Sequence, residues 1–547
     1  MTKSSDAPSP ETPPAEPAPA PNGPEDERSE GGPGVDKDTD YPAGIWLARL
    51  ERVRRFLPRS AYFWISARFS ASFGDEYQWR NSDDEENDRG IPPQNERVAW
   101  HGVWVVEAFL PSTVSALVAG VERLGWWESH RDQSFAQNVA AGRSGRGGGW
   151  ANLPILRRRT KRRTYGLPTY DRELPEGVEY VAGHIHYVTP SLTVLVAGFR
   201  FDPSVSVALD QALQRRYRSY HEMIGWTASR SMTPMFQRRD AVRDLEKARI
   251  DACRAWLATH LPGYFASGDD SSAPPATLLV TTQVVVPFER TEESRFWAQE
   301  AGIDFALERW ETGIDGLQYA FRPREDGVAV LAGRESDIFT NPDRWRKYGH
   351  ENTIWSLMYV IESNLGPLMA FRAVDAVLSD IRRRLGRLRD SVALMARASS
   401  KEQLSSVQAQ LGTVSSDLTA ITSEVRSWPG REAWVLHDIP DIEAIDDFPN
   451  PNAARPADPK SLKRRLLDWC VEQARDVRDF EADTRALLVA AAEIAGALET
   501  IKLQSFVRWV SVLALLVSLT ALIVGGLSNA GGDGAATPLP SFLSPLP

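Results

Sequence analysis

The chain has 547 residues, of which 42% are hydrophobic and 25% are charged, as in folded proteins with room for two or three domains. The net charge of -10 argues against general nucleic-acid binding. Two cysteines, Cys253 and Cys470, exclude a disulfide framework and a thiolate metal site and fit a reducing compartment. Nine lysines against 54 arginines are typical of proteins from GC-rich bacterial genomes.

Residues 1–43 are predicted to form a disordered, proline-rich tail. Residues 1–40 contain nine prolines and lack the apolar core of about 7–15 residues that a secretory signal requires. Such a segment buries too little apolar surface to offset the entropy that it would lose on folding. We therefore expect no export signal here and a cytoplasmic location for the region that follows.

Residues 44–345 are predicted to form an α+β domain in which helices pack on a sheet. Runs rich in β-branched and aromatic residues predict strands at 98–109, 178–188, 192–201, 277–288 and 327–331. Helical patterns occur at 111–124, 203–220, 241–260 and 292–309.

A short pattern occurs twice in this domain. Residues 109–117 and 201–209 agree at five of nine positions, and each pattern follows a predicted strand and begins a predicted helix. Proline suits the first turn of a helix in both places. A duplicated β-α unit and chance reuse of one capping pattern explain this similarity about equally well.

His184 and His186 are the weak candidates for metal ligands. They form an H-x-H pattern on a predicted strand, so their side chains point to the same face. His221 is a candidate for a third ligand, but no carboxylate or cysteine completes a recognised spacing. We predict structural histidines, and neither a metal nor a cofactor.

A basic run occupies residues 157–163. It consists of Arg157, Arg158, Arg159, Lys161, Arg162 and Arg163. A solvated loop is the simplest interpretation, and contact with anionic lipid or another polyanion is the main binding alternative. Nucleic acid is the weaker alternative, because no aromatic platform for single strands surrounds the run.

No motif identifies a catalytic residue. The glycine-rich segment 142–149 lacks the G-K-[ST] ending of a phosphate loop, and the acidic residues 83–86 lack the spacing of a calcium loop. Nucleophile-elbow and zinc-protease signatures are absent from the sequence. The sequence therefore favours a protein that is not an enzyme.

Residues 350–428 are predicted to form a helical hairpin or coiled coil. Apolar residues recur with alternating spacings of four and three at 374–395 and again at 404–425, which is typical of a narrow coiled-coil seam. The two runs are out of phase, and Ser399 with Glu402 forms a capping box between them. We expect a turn at 398–401, with one long helix containing a stutter as the alternative.

A proline-rich acidic linker is expected at 429–460, followed by a stalk helix at 461–508 that continues into the next segment. The stalk has a heptad-like seam with Thr484 as its polar exception. The apolar seam residues are Val477, Phe480, Leu487, Ala491, Ile494, Leu498 and Ile501.

Residues 509–527 are predicted to form a transmembrane helix. These nineteen residues carry no charge and would span about 28 Å, close to the thickness of the hydrocarbon core. Lys502 and Arg508 precede the run, whereas the tail 528–547 contains Asp533 and no basic residue. The positive-inside rule places the N-terminal bulk in the cytoplasm and the tail outside, as in a tail-anchored protein of the cell membrane.

These features favour a single-pass, C-terminally anchored membrane protein with a cytoplasmic binding, scaffold or sensor domain. The expected partners are the lipid bilayer, a cytoplasmic protein and a second copy of the chain bound through the stalk. A membrane-tethered enzyme with a site within 44–345 is one alternative. A small oligomeric pore is the other, in which Ser511, Ser518 and Thr520 would supply slight polarity.

Overall fold

The computed structural model describes part of the chain. The described residues are 76–127, 133–144, 149–158, 169–224, 228–267, 273–289, 291, 294–303, 308–321, 327–341, 353–398, 401–428, 439–440, 442–445 and 461–529. The predicted tail at 1–43, all but the first two residues of the predicted tail at 528–547, and most of the predicted linker lie outside these residues. The chain divides into two compact units, 1–79 and 80–547. Of the first unit, residues 76–79 are described, so the account below concerns the second.

The described chain contains helices and strands in mixed order. The helices are α1 (Glu76–Gly90), α2 (Val114–Arg123), α3 (Phe135–Ser144), α4 (Pro203–Gln214), α5 (Pro234–His260), α6 (Arg295–Glu300), α7 (Glu335–Ile338), α8 (Ile354–Ala398), α9 (Lys401–Arg426) and α10 (Leu462–Asn529). The strands are β1 (Val98–Phe109), β2 (Trp150–Arg158), β3 (Thr169–Arg172), β4 (Val178–Thr189), β5 (Leu192–Phe201), β6 (Tyr220–Ile224), β7 (Ala228–Met232), β8 (Ala276–Thr282), β9 (Glu308–Glu311), β10 (Leu317–Phe321) and β11 (Val328–Arg334).

Nine strands form one mixed sheet in the order β3-β2-β4-β5-β1-β8-β11-β10-β9, and β6 pairs with β7 separately. Neighbouring strands of the sheet run antiparallel, except for the parallel pairs β2–β3 and β8–β11. Strand β1 occupies the centre and is buried along almost its whole length. Its nearly continuous apolar sequence suits a strand that is covered on both faces.

Side chains of β1 alternate between two hydrophobic clusters, one on each face of the sheet. Trp104, Val106 and Ala108 join the first cluster, and Val103, Val105 and Phe109 join the second. Helix α8 covers the first face, and α2, α4 and α5 cover the second. The predicted arrangement of helices on a sheet is confirmed, with helices on both faces.

Two predicted elements end earlier than expected, because side chains distant in sequence form hydrogen bonds with the backbone that would have continued each element. The strand expected at 277–288 ends at Thr282, where the Glu96 carboxylate accepts the backbone N–H groups of Gln283, Val284 and Val285. The helix expected at 203–220 ends at Gln214, because the Asn87 side chain bonds both backbone groups of Tyr217.

The helix predicted at 292–309 is wrong over most of its length. Helix α6 covers six residues, and β9 begins at Glu308. Gly302 has a φ of 73°, and this left-handed conformation stops a helix at little steric cost only when the residue is glycine. Helix α5 instead begins earlier than expected, at Pro234.

Helices α8, α9 and α10 pack together. Helix α8 ends at Ala398 and α9 begins at Lys401, where the capping box placed the turn. Ser379 bonds Gln473 and Arg382 pairs with Asp476, so residue numbers rise together along α8 and α10 and the two helices are parallel. Seam residues of α8 and α9, among them Leu378, Leu385, Leu411 and Leu418, belong to the same cluster as Trp104 of the sheet, while the assignment as a coiled coil stays a prediction.

The described part of the predicted acidic linker lies along an edge of the sheet. Glu311 N donates to Glu443 O, Ile445 N donates to Arg309 O, and Ala444 forms a bridge with Trp310. An edge strand presents unpaired backbone groups, and this segment covers those of β9. The same segment leads into α10, since Leu462 N donates to Ile442 O.

Candidate functional site

Helix α10 is packed at its beginning and exposed toward its end. Cys470, Ala474 and Val477 are fully buried, and Ala495 is the last buried residue of the helix up to Gly525. From 497 to 525 every side chain is exposed, and none of the most apolar 18-residue window is buried. A core helix of a soluble protein would bury that window. Within the described chain, α10 is the one helix long and apolar enough to cross a membrane.

The predicted seam on this helix is covered only in part within one chain. Val477, Thr484 and Ala491 are buried as expected. The seam residues that are exposed instead are Leu487 at 38%, Ile494 at 52%, Leu498 at 37% and Ile501 at 60%. The packed face runs through Leu488 and Ala495, about a quarter of a turn away at 3.6 residues per turn. An apolar stripe of α10 is therefore left beside the packed face.

A buried polar cluster joins the sheet to α8, with Glu362 as its central acceptor. Glu362 Oε2 lies 3.1 Å from His184 Nε2, and Glu362 Oε1 accepts a 3.2 Å hydrogen bond from Trp104 Nε1. Gly198 on β5 leaves the room for this contact, because a Cβ there would collide with Glu362 Oε1. The triad thus fastens α8 to β1 and β4 where water does not reach.

His186 lies beside this triad on the same face of β4. It is 6% exposed, and its Nε2 has no hydrogen-bond partner among the described residues. A Cβ on Gly366 of α8 would lie 3.3 Å from that nitrogen, so the helix passes close to the ring. Burial, and to a smaller degree His184, lowers the pKa of His186 to about 3. The imidazole is therefore neutral near pH 7.

His184 and His186 face the same way, as strand alternation requires. Among the residues that the structure describes, no group of three or more His, Cys, Asp or Glu side chains could hold a metal ion. His221 lies on the separate β6–β7 pair. The His184 ring contacts Glu362, which gives this histidine a structural role in the junction between sheet and helix.

Arg157 and Arg158 are the last residues of β2, next to the edge strand β3. Arg158 Nη2 donates to Pro175 O at 2.6 Å and to Leu174 O at 3.4 Å. Its guanidinium therefore binds the backbone that connects β3 to β4. Arg157 is partly buried. The remaining basic residues lie outside the described part of the chain. They are Arg159, Lys161, Arg162 and Arg163.

Among the open grooves on the described surface are three that lie along helices. One of about 580 Å³ lies between α9 and α10 beside Leu411 and Leu488. A second of about 340 Å³ lies along α5, and a third of about 590 Å³ lies between α4 and α5. Neither His184 nor His186 lines any of these three grooves.

Further polar contacts hold the helical hairpin against the sheet. Ser191, in the β4–β5 turn, donates through its backbone N and its Oγ to the Glu424 carboxylate at 3.2 and 2.8 Å. The fully buried Asp380 accepts hydrogen bonds from Tyr264 Oη at 2.9 Å and Arg384 Nε at 2.6 Å. These contacts place both α8 and α9 firmly on the domain from which α10 departs.

Glu362 was not among the residues predicted from sequence. One signal could have found it: in the sequence, Glu362 is the only charged residue from Ile354 to Phe371. A lone acid in an apolar helix requires a buried partner. Comparison with protein-family models found no matching family, and comparison with curated proteins found no match.

Proposed function

We propose that this protein is a single-pass membrane protein whose α+β domain acts on the cytoplasmic face as a scaffold or sensor that binds a partner. The continuity of α10 carries the proposal. This helix of 68 residues is buried in the domain at its start and is apolar and exposed at its end. About 70 Å of helix, at 1.5 Å per residue, separates Leu462 from Trp509. A movement of the domain would therefore be passed directly to the bilayer.

The orientation is proposed from charge. Lys502 and Arg508 precede the apolar run, and residues 528–547 contain one acid and no basic residue. Basic residues near the end of a membrane helix are retained in the cytoplasm. The domain would accordingly lie on the cytoplasmic side of the cell membrane, and the segment after 527 on the outer side.

A binding role is preferred to the enzyme alternative because α8 closes over the histidines. A substrate would have to reach His184 or His186 beneath a helix that Glu362 and Asp380 fasten to its neighbours. Neither ring lines the three grooves described above. The enzyme alternative would require a site elsewhere within 44–345.

The pore alternative is weakened by the hydroxyl groups of the apolar run. Ser511, Ser518 and Thr520 each donate to a backbone carbonyl four residues earlier on their own helix, at 2.8, 2.9 and 2.6 Å. Hydroxyls satisfied in this way need no water-filled channel. A simple anchor is sufficient to explain them.

The basic run is proposed to contact an anionic surface of a cytoplasmic partner. At physiological salt, the charges of lipid headgroups are screened beyond about 8 Å from the bilayer surface. With α10 along the bilayer normal, the sheet would lie much farther from the bilayer than this distance. Arg158 already donates a hydrogen bond to Pro175 O, so contact with a partner would depend mainly on residues 159–163. Nucleic acid is not favoured, given the net charge of -10.

Anchorage is tested by extracting membranes at alkaline pH. The wild-type chain should stay in the membrane pellet. Replacing Leu516 and Leu519 by Asp should release it, since each charge at the middle of the span costs about 2.5–3.5 kcal/mol. The matched control replaces Leu503 and Phe506 by Asp, outside the uncharged run, and should stay in the pellet. Recovery of the wild-type chain in the supernatant would refute the anchor.

Orientation is tested with a reporter fused after Pro547. A reporter that is active only outside the cytoplasm should be active, and the same reporter at the N-terminus should be silent. The reverse pattern would refute the proposed topology.

A further inference from the structure

Before α10 enters its uncharged run, large apolar side chains lie open to water. Leu487, Ile494 and Ile501 are 38%, 52% and 60% exposed and recur every seven residues. Exposed apolar surface costs about 25 cal/mol per Å², so a continuous stripe marks a surface that a partner covers. The stripe lies about a quarter of a turn from the face that packs on α8 and α9, and that packing leaves it accessible.

The same seven-residue spacing continues into the apolar run. Leu515 and Leu522 occupy the next large positions and are 69% and 74% exposed. Three residues after each large position the side chain is small, with one exception. These positions hold Ala490, Ala497, Gln504, Ser511, Ser518 and Gly525. Together with the large positions they form a pairing seam, which differs from the seam predicted from the sequence. Large residues alternating with small ones let two helices approach closely, in water and in lipid alike.

The two residues that depart from this pattern of large and small side chains lie close together in the chain. Gln504 and Arg508 occupy seam positions immediately before Trp509, where the helix would meet the lipid headgroups. Two Gln504 side chains can bond each other across a symmetric pair, and a polar seam residue fixes the register. Arg508 can direct its guanidinium to the headgroups while its methylene stem stays on the seam.

We propose that a second copy of this chain covers the stripe, so that two α10 helices pair in parallel and in register along residues 487–525. This proposal rests on the membrane anchorage proposed above. Identical anchors enter the bilayer from one side and stop at one depth, which aligns identical heptads. In the described part of the chain no other helix could span the membrane, so no second span there can cover the seam inside the bilayer.

The available area supports a pair. Residues 487–525 form a strip about 58 Å long, and a contact about 10 Å wide would bury roughly 1,200 Å² over both copies. That is the lower end of the range for specific interfaces. Confinement of both anchors to one bilayer raises their effective concentration, so an interface of this size is sufficient.

Pairing is tested by cysteine substitution in the full chain in its native membrane. Ala497→Cys places a thiol on the seam, and Ala492→Cys places one on the opposite side of the helix at another exposed alanine. Cys253 and Cys470 are buried, so the wild-type chain is the background control. A disulfide needs Cα atoms within about 4.4–6.8 Å. Mild oxidation should convert the Ala497→Cys chain to a dimer and leave the Ala492→Cys chain monomeric.

A second pair of variants tests the seam inside the bilayer. Ser518→Ile, which puts a bulky side chain at a small seam position, should abolish the dimer formed by Ala497→Cys. Leu513→Ile lies on the opposite side of the helix and should leave the dimer unchanged.

The outcomes separate pairing from anchorage. Equal cross-linking at 492 and 497 would mean random collision and would overturn the proposal, as would a product with the mass of a different protein. No dimer from a chain that stays in the alkaline-extracted pellet would also overturn pairing while leaving the anchor intact. A chain absent from that pellet would overturn the anchor and the pairing that rests on it.

Discussion

Removal of the Glu362 carboxylate should strongly destabilise the fold. Glu362→Ala leaves Trp104 Nε1 and His184 Nε2 without their acceptor in a region closed to water. An unsatisfied buried donor costs about 1–3 kcal/mol, and the substitution leaves two such donors. We expect the free energy of unfolding to fall by about 2–6 kcal/mol.

Glu362→Gln is the matched control. Its amide oxygen can still accept from Trp104, and its amide group can donate to His184 Nε2 once that ring holds its proton on Nδ1. The loss should be near 1 kcal/mol, the net worth of an ordinary hydrogen bond. A large loss with Ala and a small loss with Gln would assign the effect to hydrogen bonding.

The assay is urea unfolding of the full chain in detergent, followed by tryptophan fluorescence. A double-mutant cycle with His184→Ala should give a coupling free energy of about 0.5–3 kcal/mol, as for residues in direct contact. Additive losses at Glu362 and His184, or a loss below about 1 kcal/mol for Glu362→Ala, would refute the reasoning.

Three further changes test other buried groups. The His186 pKa of about 3 in the folded state lies below the unfolded value near 6.5, so only the unfolded state takes up a proton as the pH falls between them. Stability is therefore lost on acidification, and the wild-type chain should lose about 2 kcal/mol more than His186→Leu between pH 7 and pH 5. Arg238→Met leaves Glu300, its partner at 2.6 Å, buried and unpaired and should cost about 3–5 kcal/mol in urea unfolding. Gly198→Ala should lower the melting temperature, because its Cβ would collide with Glu362 Oε1.

Each of these expectations has a contrary result. Parallel pH profiles for the wild type and His186→Leu would show that the ring is not buried and neutral. An Arg238→Met chain as stable as the wild type would mean that the ion pair contributes nothing to folding. A Gly198→Ala chain with an unchanged melting temperature would show that α8 does not approach β5 closely.

The sequence predicted those elements that depend on local composition. Strands β1 and β5 begin and end where their apolar runs do, and α8 and α9 meet where Ser399 and Glu402 form a capping pattern. Prediction failed where a distant residue decides the backbone. Glu96 ends β8, and no pattern within 277–288 encodes that carboxylate.

The apolar run 509–527 was recognisable from sequence alone, because the absence of charge over nineteen residues is a property of the chain itself. The same holds for the H-x-H pattern and for the side on which both rings lie. Which partner each ring meets was beyond the sequence, since Glu362 is 178 residues from His184.

Only the tertiary structure decided which apolar face of α10 is packed. The predicted seam contains Leu487 and omits its neighbour Leu488, but the placement of α8 and α9 buries Leu488 and leaves Leu487 exposed. Sequence periodicity reports how many apolar stripes a helix has, whereas burial depends on where other helices lie. That is why the candidate membrane span was evident from the sequence, and the exposed stripe on the same helix became visible only in the fold.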